Sequence, residues 1–104
     1  MSCEGIVYGA CGGCLKRGKA KIGYATRKGV ETINGTIDRL RRRYQTYYGR
    51  EVIFVFSIVY DCKINEARIH TTLSNECING ELYEIGQNNL KNLLEQKFGN
   101  SFHS

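Results

Sequence analysis

Residue types that serve phosphoryl chemistry stand in order along this chain. They are a tyrosine at Tyr8 in GIVY, a lysine at Lys21 in KIG, arginines in DRLRRRYQTYY (Asp38 to Tyr48) and a carboxylate at Glu66 in EARIH. In-line displacement at a phosphodiester needs a deprotonated water. A tyrosine with its ordinary pKa of about 10 is a poor base unless a cation or a metal lowers it. Lys21, on a strand next to that of Tyr8, would supply the cation. Charge that builds on the equatorial oxygens calls for a planar, bidentate donor, which an arginine provides. A magnesium ion keeps several waters and is held by one carboxylate plus the substrate phosphate, so Glu66 alone suffices as its protein ligand.

The charge balance suits such a substrate. The 104 residues carry 15 Lys and Arg against 10 Asp and Glu, a formal charge of +5, and the pI is near 9.0. Lys16, Arg17, Lys19, Lys21, Arg27 and Lys28 form one basic cluster, and Arg39, Arg41, Arg42, Arg43 and Arg50 form a second. Most acids follow Glu51. A polyanionic partner is therefore favoured over an acidic one. The length fits a single domain spanning residues 1–104. No apolar run is long enough to cross a bilayer, and MSCEGIVYG lacks the pattern of a signal peptide, which predicts a soluble, intracellular protein, cytoplasmic or nuclear. The five cysteines then read as reduced thiols.

Local signals predict the elements that position these residues. Glu4 to Ala10 and Ala20 to Ala25 read as strands of a hairpin closed by the glycine-rich CGGCLKRGK. Gly23, in the middle of the second, marks close approach of a helix or of a nucleic-acid backbone. Asn34-Gly35 is a turn signal, and Thr36 would cap a helix whose apolar stripe runs through Ile33, Ile37, Leu40 and Tyr44 to Gly49. EVIFVFSIVY (Glu51 to Tyr60) has the nearly continuous apolar and β-branched pattern of a strand covered on both faces or of a central strand. Asn65 would cap a second helix with Ile69 and Leu73 inward and Glu66 and His70 together on one side. Asn79-Gly80 is a turn before ELYEI, and Leu90, Leu93, Leu94 and Phe98 form the stripe of a last helix ended by Gly99. NSFHS reads as a frayed tail.

The succession GIVY, KIG, the arginine-rich helix, EARIH and NGELYEI resembles the GIY-YIG nuclease superfamily over about Glu4 to Ile85, in particular short phage and large-DNA-virus variants with lysine in the second motif. The resemblance implies an α+β fold, a three-stranded antiparallel sheet flanked by helices. It also implies a DNA endonuclease, nicking one strand, that depends on one Mg²⁺ (or Mn²⁺). Carried over by position, Tyr8 helps activate the attacking water and Lys21 stands for the tyrosine of the second motif. Gly23 is that motif's glycine, Arg39 binds phosphate, and Glu66 is the metal-binding carboxylate. Thr26 to Ile33 form an insertion that leaves Arg43, paired with Tyr47, as an alternative to Arg39.

Plainer readings stand beside these. Tyr8 is one of seven tyrosines, Lys21 can be a solvated strand residue, and Glu66 can be a first-turn glutamate favoured by the helix dipole. Glu81 and Tyr83 fit packing or edge roles before catalysis. Cys11-Gly-Gly-Cys14 has the spacing of half a zinc site that Cys3 and either Cys62 or a histidine would complete. The competing functions are a catalytically inert nucleic-acid-binding module of the same fold and a zinc-stapled interaction domain.

Overall fold

The computed structural model describes residues 4–15 and 17–103. Strands β1 (Glu4–Gly12) and β2 (Ala20–Thr26) form the expected hairpin, followed by helix α1 (Ile33–Tyr48) and strand β3 (Val52–Tyr60). Helix α2 (Cys62–Thr72), short strands β4 (Cys77–Asn79) and β5 (Leu82–Tyr83), helix α3 (Gln87–Phe98) and strand β6 (Phe102–His103) complete the order. β1 lies between β2 and β3, antiparallel to both. The sheet does not stop at these three strands. Its order is β4-β5-β2-β1-β3-β6, because ELYEI pairs back on β2 and the tail pairs with β3 through Val55 and Phe56. The tail expected to fray is therefore an edge strand.

Register assigns the two faces of the sheet. Tyr8 stands opposite Gly23 on one side and Phe56 on the other, so these residues share a face. On that face Ile6, Tyr8, Ala10, Ala25, Phe54 and Phe56 pack under α1 through Ile37, Leu40 and Tyr44. On the other face Val7, Ile22, Val55 and Val59 pack under Ile69 of α2 and Leu90 and Leu94 of α3. Cover on both sides of Val52 to Ser57 explains why β3 reads as a nearly continuous apolar run, while Ile58 and Tyr60 at its end are exposed. At Gly9 a Cβ would lie 2.0 Å from Leu90 Cδ2, so the missing side chain lets α3 seat directly on the central strand.

Both helix starts differ from expectation. Thr32, not Thr36, caps α1 by accepting from the Gly35 N–H at 3.0 Å, which places Asn34-Gly35 inside the first turn. Thr36 is buried and its hydroxyl donates to Glu31 and to the Thr32 carbonyl. α2 starts at Cys62, behind Asp61 with φ 53°, and the Asn65 amide donates to the Tyr60 carbonyl instead of capping. The glycine-rich loop after β1 ends α1: the Cys14 N–H donates to the Tyr48 carbonyl at 2.8 Å, and a Cβ at Gly13 would lie 2.2 Å from that oxygen. The loop therefore fixes the last turn of α1, which carries Tyr48. Among the described residues, no helix is long and apolar enough to cross a membrane.

Candidate active site

Tyr8 projects from β1 across β2. A Cβ on Gly23 would sit 2.8 Å from the Tyr8 hydroxyl oxygen and 3.1 Å from its Cζ. The group that needs this glycine is thus a neighbouring phenol, in place of the helix or nucleic-acid backbone expected. Tyr44 and Phe54 meet the Tyr8 ring edge-on, each at 5.7 Å between centroids. The Tyr8 and Tyr44 hydroxyls are hydrogen-bonded at 2.8 Å. Tyr44 in turn stacks on Tyr48 at 5.7 Å, and the Lys21 ammonium lies 5.8 Å from the centre of the Tyr48 ring.

These surroundings act on the two phenols in different ways. Burial, followed by the hydrogen bond to Tyr44, drives the Tyr8 pKa far above the ordinary tyrosine range, and Arg43 opposes this only slightly. Tyr8 is a neutral phenol at physiological pH. Lys21 does not offset this: its ammonium faces Tyr48, which raises the lysine pKa, and its charge acts on Tyr44. Burial also raises Tyr44, but the hydrogen bond with Tyr8 and the charges of Lys21 and Arg43 all favour its ionised form. The Glu81 carboxylate acts on Tyr8, Tyr44 and Lys21, and also on Tyr83 in the core on the other face of the sheet.

Arg39 is occupied elsewhere. Its Nε donates to Glu31 Oε2, and its Nη2 donates to Glu31 Oε1 and to the Thr26 carbonyl, each at 3.1 Å. The Arg39 hydrogen bonds, then that of Thr36, hold the Glu31 carboxyl down to about 2. Arg39 thus buckles the β2–α1 connection. Arg43, one helical turn later, is exposed, forms no ion pair among the described residues, and acts on both phenols. Of the two arginines weighed from sequence, Arg43 is the one near Tyr8.

Glu66 lies under the opposite face. α2 packs against Val7 and Ile22, and Glu66 Oε2 is 3.2 Å from His70 Nε2, while His70 Nδ1 bonds the Tyr83 hydroxyl. The fold therefore brings Tyr8 and Lys21 to the α1 side, sets Arg39 aside in a clasp, and separates Glu66 from both. A metal held by Glu66 would have the sheet between it and Tyr8. Glu81 is an exposed hard oxygen donor whose charge reaches the phenol pair, and Tyr83 of the opposite face as well.

No family model, curated protein or solved structure matches this chain. The assignment of residues to roles consequently rests on the geometry above. Tyr44, Tyr48 and Glu81 carry only weak signals for this role in the sequence. Tyr44 sits in an apolar helical stripe, which hides its hydroxyl; Tyr48 follows it by four; Glu81 lies in a turn far along the chain. A hydroxyl-bearing aromatic at a core position was the available signal for Tyr44, because a buried phenol needs a polar partner.

The zinc reading finds no support in the loop. Cys11 packs in the core, where burial pushes its thiol up to about 11, while Cys14 is exposed. Among the described residues no group of three or more His, Cys, Asp or Glu is arranged to hold a metal. Cys3 of the suggested ligand set, like Lys16 of the first basic cluster, lies outside the described residues.

Proposed function

We propose that this chain is a divalent-metal-dependent DNA endonuclease of the GIY-YIG type, nicking one strand, with its site at Tyr8, Tyr44, Lys21, Arg43 and Glu81. The observation that carries the reading is the 2.8 Å hydrogen bond between the Tyr8 and Tyr44 hydroxyls, on which the charges of Lys21, Arg43 and Glu81 act. Tyr8 is the neutral member: its proton is directed to Tyr44 and orients that phenol. The Tyr44 oxygen positions the attacking water, and its partial negative charge is favoured by the two cations. Arg43 offers bidentate donors to the phosphate, and Lys21 adds charge beside it. Glu81 would hold Mg²⁺ or Mn²⁺, which supplies positive charge at the reacting phosphate.

A second reading is an inert nucleic-acid-binding module, and the burial of both phenols favours it: Tyr8 is 5% exposed and Tyr44 9%. Supercoiled plasmid separates the two. Nicking in Mg²⁺ that is abolished by EDTA and by Tyr44→Phe supports the nuclease. Intact plasmid together with a salt-sensitive gel shift supports the binding module.

A further inference from the structure

We propose that the last turn of α1 is a stacking platform for an unpaired base, so that this protein engages single-stranded nucleic acid beside its phenol site. The inference rests on the nucleic-acid reading above and narrows its substrate class. It starts from a row of rings. Tyr44 is buried, Tyr48 stacks on it at an interplanar angle of 22°, and Tyr47 continues outward, 6.5 Å from Tyr48 between centroids. Tyr47 is 70% exposed. A largely exposed ring is thereby carried on the end of a helix whose Tyr48 carbonyl the glycine-rich loop holds.

The charge around this ring specifies the occupant. Arg42, Arg43 and Arg50 are exposed and form no ion pair among the described residues. Arg43 precedes Tyr47 by four residues, which sets both on one side of the helix. Arg39 and Arg41, by contrast, are engaged by Glu31 and Asp38. Of the arginines on and just after α1, the unengaged ones thus stand toward its C-terminal end, where the open ring is. An aromatic face flanked by unpaired guanidinium groups matches a strand that offers phosphates and a free base face together. Duplex DNA offers the phosphates, but its base faces are covered by one another. A second copy of this chain would have to bring the same positive charge against itself, which disfavours self-association through this patch.

The test measures binding in EDTA, so that chemistry plays no part. A fluorescein-labelled oligothymidylate of about 15 nucleotides is compared with its duplex by anisotropy, using wild type, Tyr47→Ala, Tyr47→Phe and Arg43→Gln. The single strand should bind more tightly than the duplex. Tyr47→Ala should weaken it about 5- to 150-fold, Tyr47→Phe should retain it, and duplex binding should change little. Arg43→Gln should lower the slope of log affinity against log salt for the single strand by about 0.7. Equal single-strand affinity of Tyr47→Ala and wild type, absent binding, or a dimer that Tyr47→Ala dissolves without strand binding would each overturn the platform. Because none of these readouts involves cleavage, an inactive protein that passes them sinks the nuclease and keeps the platform.

Discussion

The Tyr8 ring occupies the space that a side chain at position 23 would fill, with its hydroxyl oxygen 2.8 Å from where the Cβ would be. A glycine that weakens a strand is thus what admits the phenol to Tyr44. Gly23→Ala should displace the ring, break the Tyr8–Tyr44 hydrogen bond and destabilise the fold by about 1–3 kcal/mol. In a Tyr8→Phe background the contact at the oxygen is gone and the contact at Cζ remains, so the same substitution should cost less. Denaturant unfolding of the two single variants and the double variant closes the cycle.

Tyr8, Tyr44 and Tyr83 all have pKa values raised chiefly by burial. A group raised in the folded state contributes stability that is complete below its unfolded value, here about 10, and that is lost as pH rises toward the folded value. Alkaline titration followed by tyrosinate absorbance should therefore show these residues ionising with unfolding and not before it. Tyr8→Phe should flatten the fall in stability above pH about 10.

Glu31 gives the opposite sign. Its carboxyl is held down to about 2 by Arg39 first and Thr36 second. A depressed acid contributes above its unfolded value, near 4.5, and the contribution disappears as pH falls through about 2. Thermal melts across that window should lose stability more steeply in wild type than in Glu31→Gln. At neutral pH, Arg39→Ala should lower the melting temperature by loosening the β2–α1 connection.

Thr32 is the residue on which the start of α1 depends. Thr32→Ala should cost about 0.5–2 kcal/mol, and Asn34→Ala should cost less, since the Asn34 side chain makes no capping bond. Circular dichroism melts of the two variants check this.

Periodicity made much of the frame readable. The stripe Ile37, Leu40, Tyr44 and the run from Val52 to Ser57 are dictated by burial on one helical side and on both sheet faces, and both lie where their patterns put them. Helix starts were less legible because several Thr, Asn and Asp residues compete locally for the same cap, and only the folded chain selects Thr32. Sheet edges were illegible for a related reason: two-residue strands such as Phe102–His103 have no periodicity, and their pairing is decided by the neighbour they find. The site suffered most. Motif order suggested Tyr8, Lys21, Arg39 and Glu66 as one group, but order along a chain does not specify a face, and the register sends α2 beneath Val7 while Tyr8 points to α1. Arg39 failed because its partner, Glu31, lies in the connection whose conformation no local pattern predicts.

Cleavage of supercoiled plasmid in Mg²⁺ by wild type, Glu81→Gln and Glu66→Gln tests the proposal that the nuclease uses the carboxylate of Glu81 and not that of Glu66. The prediction is relaxed product from wild type, a loss of roughly 100-fold or more in Glu81→Gln, and near wild-type rates in Glu66→Gln once folding is verified. Full activity of Glu81→Gln with loss of activity in a folded Glu66→Gln would contradict it.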